Sequence, residues 1–377
     1  MKTRWHLLLL CSLVAYQASA QSNAFVIKGT VSSGAESESL PGAHVFLANT
    51  TYGTISDAEG KFALTVDQPG QYDLIVSFLG YSSYARQINL TTPTTIELAI
   101  SLTAKEQDLG SVTVKAISKG DWRRYLKLFK EIFLGSSMNA KRTILLNQQA
   151  LGFYFDEETQ TLSATAEEPL LLRNKELGYD IEYYLEEFEV SFSQQYSRYA
   201  GYPLFKDLEA GQGITNRIRK NRQKAYLGSI EHFFKAVYEN RVFEEGFVVQ
   251  AARDTVHSGL IISADTVAFP PTQNPNDAPY RKLGFDEYLF ITYTKAFETQ
   301  AYQEYTAMIM LNDRPQRTGG RNPQRSWIRL NNPKKPILFN ASGHILNALS
   351  FVEYGFWGFQ KLADRVPLDY RLPAGDG

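Results

Sequence analysis

The chain has 377 residues, of which 44% are hydrophobic, 13% aromatic and 21% charged. That is length for two domains and apolar material for packed cores, which excludes a disordered tail. A formal net charge of −1 brings no basic excess of the kind nucleic-acid binding uses.

Residues 1–20 read as a secretory signal peptide. Lys2 and Arg4 precede the apolar run "LLLLCSLVAY", and Ala18–Ser19–Ala20 supplies a small-residue cleavage site. The run is too short to span a bilayer. Lipidation at Cys11 weighs less than cleavage after Ala20, because Leu10 stands where a small residue is needed. Cleavage removes two of the 39 basic residues, leaving 37 against 40 acidic, a net of −3, and removes the single cysteine. The expected mature chain is exported, periplasmic or outer-membrane-associated, and relies on packing rather than disulfides. No later stretch holds eighteen apolar residues in a row, so no transmembrane helix is expected in it.

Residues 24–116 read as short strands at intervals of about ten residues, among them "AFVIKGTV", "AHVFLANT", "KFALTV", "YDLIVSF", "YARQINL" and "TTIELAISL". Gly, Pro and Asp punctuate them, the pattern of a small β-sandwich. In "GTISDAEGKFAL", Asp57 and Glu59 raise a calcium reading. Counting an EF-hand loop from Asp57 puts Lys61 at position 5 and Gln68 at position 12, so the ligand set fails. A hairpin turn needs only Asp57 to bond its own backbone and Gly60 to take a positive φ.

These residues resemble the carboxypeptidase-like regulatory domain, a prealbumin-like sandwich. The features that carry the likeness are a turn at Gly29, Pro41–Gly42, Gly53–Thr54, Asp57, Gly60, Phe62 and Gly80–Tyr81. The module occurs beside metallocarboxypeptidase domains and at the N-terminus of TonB-dependent receptors and other Gram-negative envelope proteins. The resemblance implies a fold and an envelope location, without peptidase activity. The two-part layout as a whole resembles envelope proteins of unassigned function that carry this module.

Residues 117–139 are expected to form a linker helix. Trp122, Tyr125, Leu126, Phe129, Ile132 and Phe133 fall at helical spacing, Asp121 can cap its start, and Gly135 can end it. Residues 140–377 are expected to form an α+β domain with an antiparallel sheet. "ALGFYFDEETQTLSATA" reads as a hairpin around 156–160, and "GYDIEYYLEEFEVSFS" as an alternating strand. Residues 215–246 read as one long helix, with Tyr226, Ile230, Phe233 and Val237 on one face and Glu231 paired with Lys235. "EYLFITYTKAF", "EYTAMIML", "SWIRL" and "GHILNALSFVEYGFWGF" read as further β-rich segments.

No compact catalytic motif is present. His44, His232, His257 and His344 lie far apart, with no HExxH, so no zinc hydrolase site is legible. "LGSSMN", "LGSIEH" and "ASGHIL" lack the second glycine of a nucleophile elbow, and Ser229 with His232 means only proximity on a helix. The acidic clusters Asp156–Glu157–Glu158 and Glu186–Glu187 with Glu189 are expected as a turn and a wet strand face. Of the basic stretches, 217–224 opens a helix. Arg314, Arg317, Arg321 and Arg325, beside Trp327, are candidates for an anionic partner, against a solvated loop as the plainer alternative. Phe351, Tyr354, Phe356, Trp357 and Phe359 are expected as core, or in part as a docking patch.

The expectation is a non-catalytic secreted protein that binds, or is accessory to, another envelope component: a protein, lipid or glycan. No cofactor, metal or catalytic residue is assigned. The alternative is a hydrolase, peptidase or glycosidase-like, whose site is assembled from distant residues of 140–377.

Overall fold

The computed structural model describes residues 24–34, 38–105, 117–208, 213–255, 259–269, 280–309 and 321–373. The expected signal segment 1–20, residues 109–116, His257, Arg314 and Arg317 lie outside them.

The first unit is a two-sheet sandwich. Its strands are β1 (Phe25–Ser33), β2 (His44–Leu47), β3 (Gly53–Ile55), β4 (Lys61–Val66), β5 (Gly70–Ser77), β6 (Tyr84–Leu90) and β7 (Thr95–Leu102). One sheet runs β4-β1-β7 and the other β3-β2-β5-β6. Alternation decides burial: on β4, Phe62, Leu64 and Val66 point into the core while Lys61, Ala63 and Thr65 face out.

Two turn expectations change here. β3 pairs with β2 whereas β4 pairs with β1, so the Asp57–Gly60 turn crosses between sheets and is not a hairpin. Its chemistry is as expected: Asp57 Oδ1 accepts from the backbone N–H groups of Glu59 at 3.0 Å and Lys61 at 2.8 Å, and Gly60 sits at φ +73°. Gly29 is mid-strand rather than in a turn. It has no side chain because a Cβ there would lie 1.9 Å from the Leu98 carbonyl oxygen of the parallel neighbour β7.

The second unit opens with α1 (Lys119–Phe133) and α2 (Met138–Lys141), then β8 (Thr143–Leu145), β9 (Leu151–Asp156), β10 (Thr161–Ala166), β11 (Leu170–Asn174), β12 (Tyr179–Ser191), β13 (Tyr196–Asp207) and α3 (Asn216–Tyr226). The sheet order is β8-β11-β12-β10-β9, with β13 also on β12. α1 does more than connect. Phe129 and Phe133 are fully buried and meet Phe188 and Tyr183 at ring-centroid distances of 4.6 and 4.7 Å. Its cap is Ser118, whose Oγ accepts from the Asp121 N–H at 3.1 Å, rather than Asp121 itself.

The third unit contains α4 (Ile230–Glu239), β14 (Phe247–Thr255), β15 (Gly259–Thr266), β16 (Arg281–Leu283), β17 (Tyr288–Phe297), α5 (Gln300–Ile309), β18 (Pro323–Leu330), β19 (Ile337–Phe339), β20 (Phe351–Tyr354) and α6 (Gly355–Phe359). Its main sheet is β15-β14-β17-β18-β20, and α4 packs Phe233 and Phe234 into a core with Phe247, Ile291, Ile328 and Trp357. The expected long helix is broken: α3 ends at Tyr226, Gly228 takes φ +82°, and Ser229 caps α4. Glu231 pairs with Arg365 and not with Lys235. "EYTAMIML" falls mainly on helix α5, not a strand. Its Tyr302 and Tyr305, three apart, meet Phe356 and Phe359, and its Ala, Gln, Glu and Met residues favour a helix.

The three units are joined tightly. Phe46, Ala48 and Ile75 of the sandwich form one cluster with Tyr184 and Leu204 of the second unit. The Asn49 N–H donates to the Pro203 carbonyl at 2.7 Å, and the Phe205 N–H to the Thr50 carbonyl at 2.9 Å. His344 Nε2 of the third unit lies 3.1 Å from Asp73 Oδ2, and Asn340 donates to the Gln71 carbonyl at 2.8 Å. The C-terminal segment then straps all three. Leu362 and Ala363 sit in the second core, Arg365 pairs with Glu231, and the Asp369 carboxylate accepts from the Thr51 N–H at 2.9 Å.

Candidate functional site

Between the sandwich and the second sheet lies a cleft of about 200 Å³. One wall is β2 with the β5–β6 connection, where Gly80 takes φ +83° and Leu79, at its rim, is 72% exposed. The other wall is the β10–β11 connection and β12, which carries a bulge between Leu185 and Glu187 that interrupts its pairing with β13. The lining brings together the carboxylates of Glu167, Glu168 and Glu186, the rings of Phe78, Tyr81 and Tyr184, and Lys105 and His44.

The back of the cleft is a polar network. The Tyr184 hydroxyl and His44 Nδ1 share a hydrogen bond at 2.7 Å, Glu182 lies 3.5 Å from the same nitrogen, and Lys206 pairs with Glu182. Burial pushes the Glu182 carboxyl up, but His44 and Lys206 outweigh it and hold the carboxyl below its usual range. Burial, with Glu182 adding to it, pushes the Tyr184 hydroxyl up, so it stays protonated. At the cleft mouth, Ser83 donates to Glu186 at 2.9 Å and Asn147 to Glu168 at 3.1 Å.

The other described histidines are held in structural bonds. His232 Nδ1 accepts from the Gly228 N–H at 3.1 Å, so Nε2 carries the proton toward Glu245 at 3.3 Å. Burial among Tyr226, Phe247 and Tyr293 lowers its pKa and keeps it neutral. Ser229 Oγ accepts from the His232 backbone N–H and is an α4 cap, not a nucleophile on that ring. Among the described residues, no three His, Cys, Asp or Glu side chains converge as metal ligands.

The acidic clusters fall where turns and strand faces put them. Asp156 Oδ1 accepts from the N–H groups of Glu158 and Thr159 in the β9–β10 turn, while Glu187 and Glu189 pair with Arg198. Glu186 alone of its cluster reaches the cleft. Of the four candidate arginines, Arg321 lies over the Phe297 ring at 5.7 Å and Arg325 is exposed on β18. Sequence reasoning passed over Arg329, two strand positions beyond Trp327, although period-2 spacing was signal enough.

A second polar cluster closes the junction of α4, β20 and the C-terminal strap around a cavity of only about 10 Å³, too small for a ligand. Asp364 there accepts from Ser137 Oγ at 2.7 Å and Asn139 Nδ2 at 2.9 Å, and burial pushes its carboxyl up to about 6 despite those bonds. A carboxyl raised on folding favours the folded state while protonated. Its contribution is therefore fully present below about pH 4 and is lost as pH rises through about 6, by at most ~3 kcal/mol. Asp364→Asn retains an acceptor for Ser137 and Asn139. It is expected to be more stable than the parent at pH 7, with the gap closing at pH 4, in urea denaturation at the two pH values. A gap independent of pH would contradict the assignment.

Residues 27–114 match the model of the CarboxypepD_reg-like domain family, so the N-terminal sandwich is a domain of that type. No curated protein matches the chain. Among solved structures, the chain is similar to a type II cohesin–X-dockerin complex mutant from Acetivibrio cellulolyticus (20% identity, 31% of this chain and 79% of that one, TM-score 0.19). It is also similar to 3-chlorocatechol 1,2-dioxygenase from Rhodococcus opacus (11%, 24% and 63%, TM-score 0.18). A Bacteroides fragilis protein of unknown function aligns over 88% of this chain and 95% of its own, at 13% identity and a TM-score of 0.18. At these scores the likenesses carry no argument about function.

Proposed function

We propose that this chain is an exported, non-catalytic binding module of the cell envelope, which seats a segment of another envelope component between its sandwich and its second sheet. The observation that carries the reading is the cleft itself: two walls from different units, held together by the His44–Tyr184–Glu182–Lys206 network, around an open space of about 200 Å³. Small-molecule sites run to roughly 300–1,000 Å³, so this one suits one or two side chains of a partner better than a whole metabolite. Its rings and its three carboxylates suit an apolar side chain beside a basic one.

A photo-crosslinking residue at Leu79, on the rim, tests this in whole cells. Phe243, 85% exposed in the third unit, serves as the control position. A discrete adduct from position 79 that is absent from position 243, and is lost on Glu168→Arg, is expected. No adduct, or the same adducts from both positions, overturns the reading. Recovery of the mature chain from the cytoplasm alone overturns the export part.

The convergence of Glu167, Glu168 and Glu186 favours one second reading, a hydrolase using these carboxylates. Turnover of peptide or glycoside substrates by the purified chain, abolished in Glu168→Gln or Glu186→Gln, would establish it instead.

A further inference from the structure

The third unit's sheet packs one face on α4; among the described residues, no helix or second sheet packs on the other. Leu289, Ile291, Ile328 and Leu330 point inward to α4, while Tyr288, Phe290, Trp327 and Tyr354 lie on the opposite face, the first two buried and the last two part-exposed. Among the described residues, the outward cluster draws only on the sheet's own strands. Phe290, Trp327 and Tyr354 stand in a row across β17, β18 and β20, with centroids 6.1 Å apart and planes inclined by 11° and 5°. Ile262 and Phe297 add exposed apolar surface at the edge and at the strand end.

Arginines line the same face. Arg325 and Arg329 flank Trp327 at two-residue spacing on β18, Arg321 precedes them in line, and all three are exposed. Arg329 lies over the Tyr288 ring at 5.9 Å and Arg321 over Phe297 at 5.7 Å. The outward positions paired across β17, β18 and β20 hold no carboxylate. Glu298, just past β17, senses the charge of Arg325, and Asp254 stands two strands away on β14.

We propose that this face docks on an anionic phospholipid surface. Guanidinium forks match phosphate oxygens, and the part-exposed rings of Trp327 and Tyr354, with the exposed Ile262 and Phe297, suit the boundary between headgroups and acyl chains. Binding of a nucleic acid or a glycan by stacking needs open ring faces. Here Phe290, Trp327 and Tyr354 are stacked on one another, so neighbouring rings occupy their faces. The face lies on a different unit from the cleft, so it fails or stands independently of the cleft reading.

The test is co-sedimentation of the full mature chain with vesicles of phosphatidylcholine alone and of phosphatidylcholine with phosphatidylglycerol. Binding is expected only to the anionic vesicles and should weaken as salt rises. Replacing two cations should weaken it roughly 25-fold, at about fivefold each, so Arg325→Gln/Arg329→Gln is the main variant. Phe297→Ser should weaken it further, and Arg86→Gln on the sandwich should leave it unchanged. Thermal melting checks that each variant is folded, and the salt dependence of the parent needs no variant. Equal binding to both vesicle types, no binding, or an Arg325→Gln/Arg329→Gln protein that binds like the parent overturns the proposal. So does arginine-dependent binding to a soluble acidic polysaccharide without vesicle binding, which would make the ligand a glycan.

Discussion

Phe129→Ala is expected to destabilise the second unit by about 3–5 kcal/mol, the range for emptying a fully buried aromatic position. The ring is fully buried and touches Phe133, Phe153 and Phe188 at centroid distances of 4.9, 6.1 and 4.6 Å, so no neighbouring loop is free to collapse into the space. Hydrogen exchange followed by mass spectrometry localises the effect. Peptides from β9 to β13 should lose protection while those from β1 to β7 keep most of theirs, since each unit has its own core. A loss below about 1 kcal/mol is the outcome for a helix that merely links two domains, and it would refute the packing described.

Arg222→Ala is the second large effect, expected at about 3–5 kcal/mol. The residue is 3% exposed. Its guanidinium donates to the Leu177 carbonyl at 2.7 Å, the Gly178 carbonyl at 3.0 Å and the Asp207 carboxylate at 2.9 Å, and it stacks 3.9 Å over Tyr179. Truncation strips those acceptors of a shared donor in a site with little water. Arg222→Lys keeps the charge but not the planar fork, so it should recover only part of the loss. Urea denaturation of the three proteins checks both statements. If Arg222→Ala moved stability by less than about 1 kcal/mol, Arg222 would be an ordinary surface cation.

These two residues show how unevenly the fold could be read in advance. Phe129 belongs to a periodic apolar stripe, and periodicity is local, so its helix was legible even though its depth of burial was not. Arg222 sits in "RIRKNRQK", where charge density points to solvent. Arg217 does pair with Glu176 at the surface, yet Arg222, five residues on, is turned inward. Nothing local distinguishes them, because the Leu177 and Gly178 carbonyls that receive Arg222 come from a turn 45 and 44 residues earlier. The break at Gly228 is illegible in the sequence for a related reason. One glycine inside a helical pattern is tolerable, and here the close approach of the Tyr293 ring, 2.6 Å from where its Cβ would lie, adds to the demand of its positive φ.

The candidate cleft was further from reach. Gly42–His44, Phe78–Ser83, Ala166–Pro169 and Tyr184–Glu186 meet because the sandwich docks on β12 and β13, with Phe46 stacked on Tyr184 at 4.6 Å and Thr50 bridged to Leu204. Gly53 helps that contact, since a Cβ there would come within 2.9 Å of the Leu204 side chain. The row of arginines and rings was half legible: Arg321, Arg325 and Trp327 stand close in sequence, but their common face required knowing that β18 is an inner strand whose other side packs on α4.

By itself, then, the amino-acid sequence determined the elements whose causes lie within a few residues. These are the alternating strands of the regulatory-like sandwich, the Asp57–Gly60 turn and the amphipathic stripes of α1 and α4. Tertiary structure alone decided that the turn joins two sheets, that α1 is core, that the C-terminal strap pins three units, and where a cleft opens between two of them. Those outcomes depend on contacts between residues dozens to hundreds of positions apart. Their stability comes from burial and from satisfying polar groups at the junctions, which no local propensity encodes.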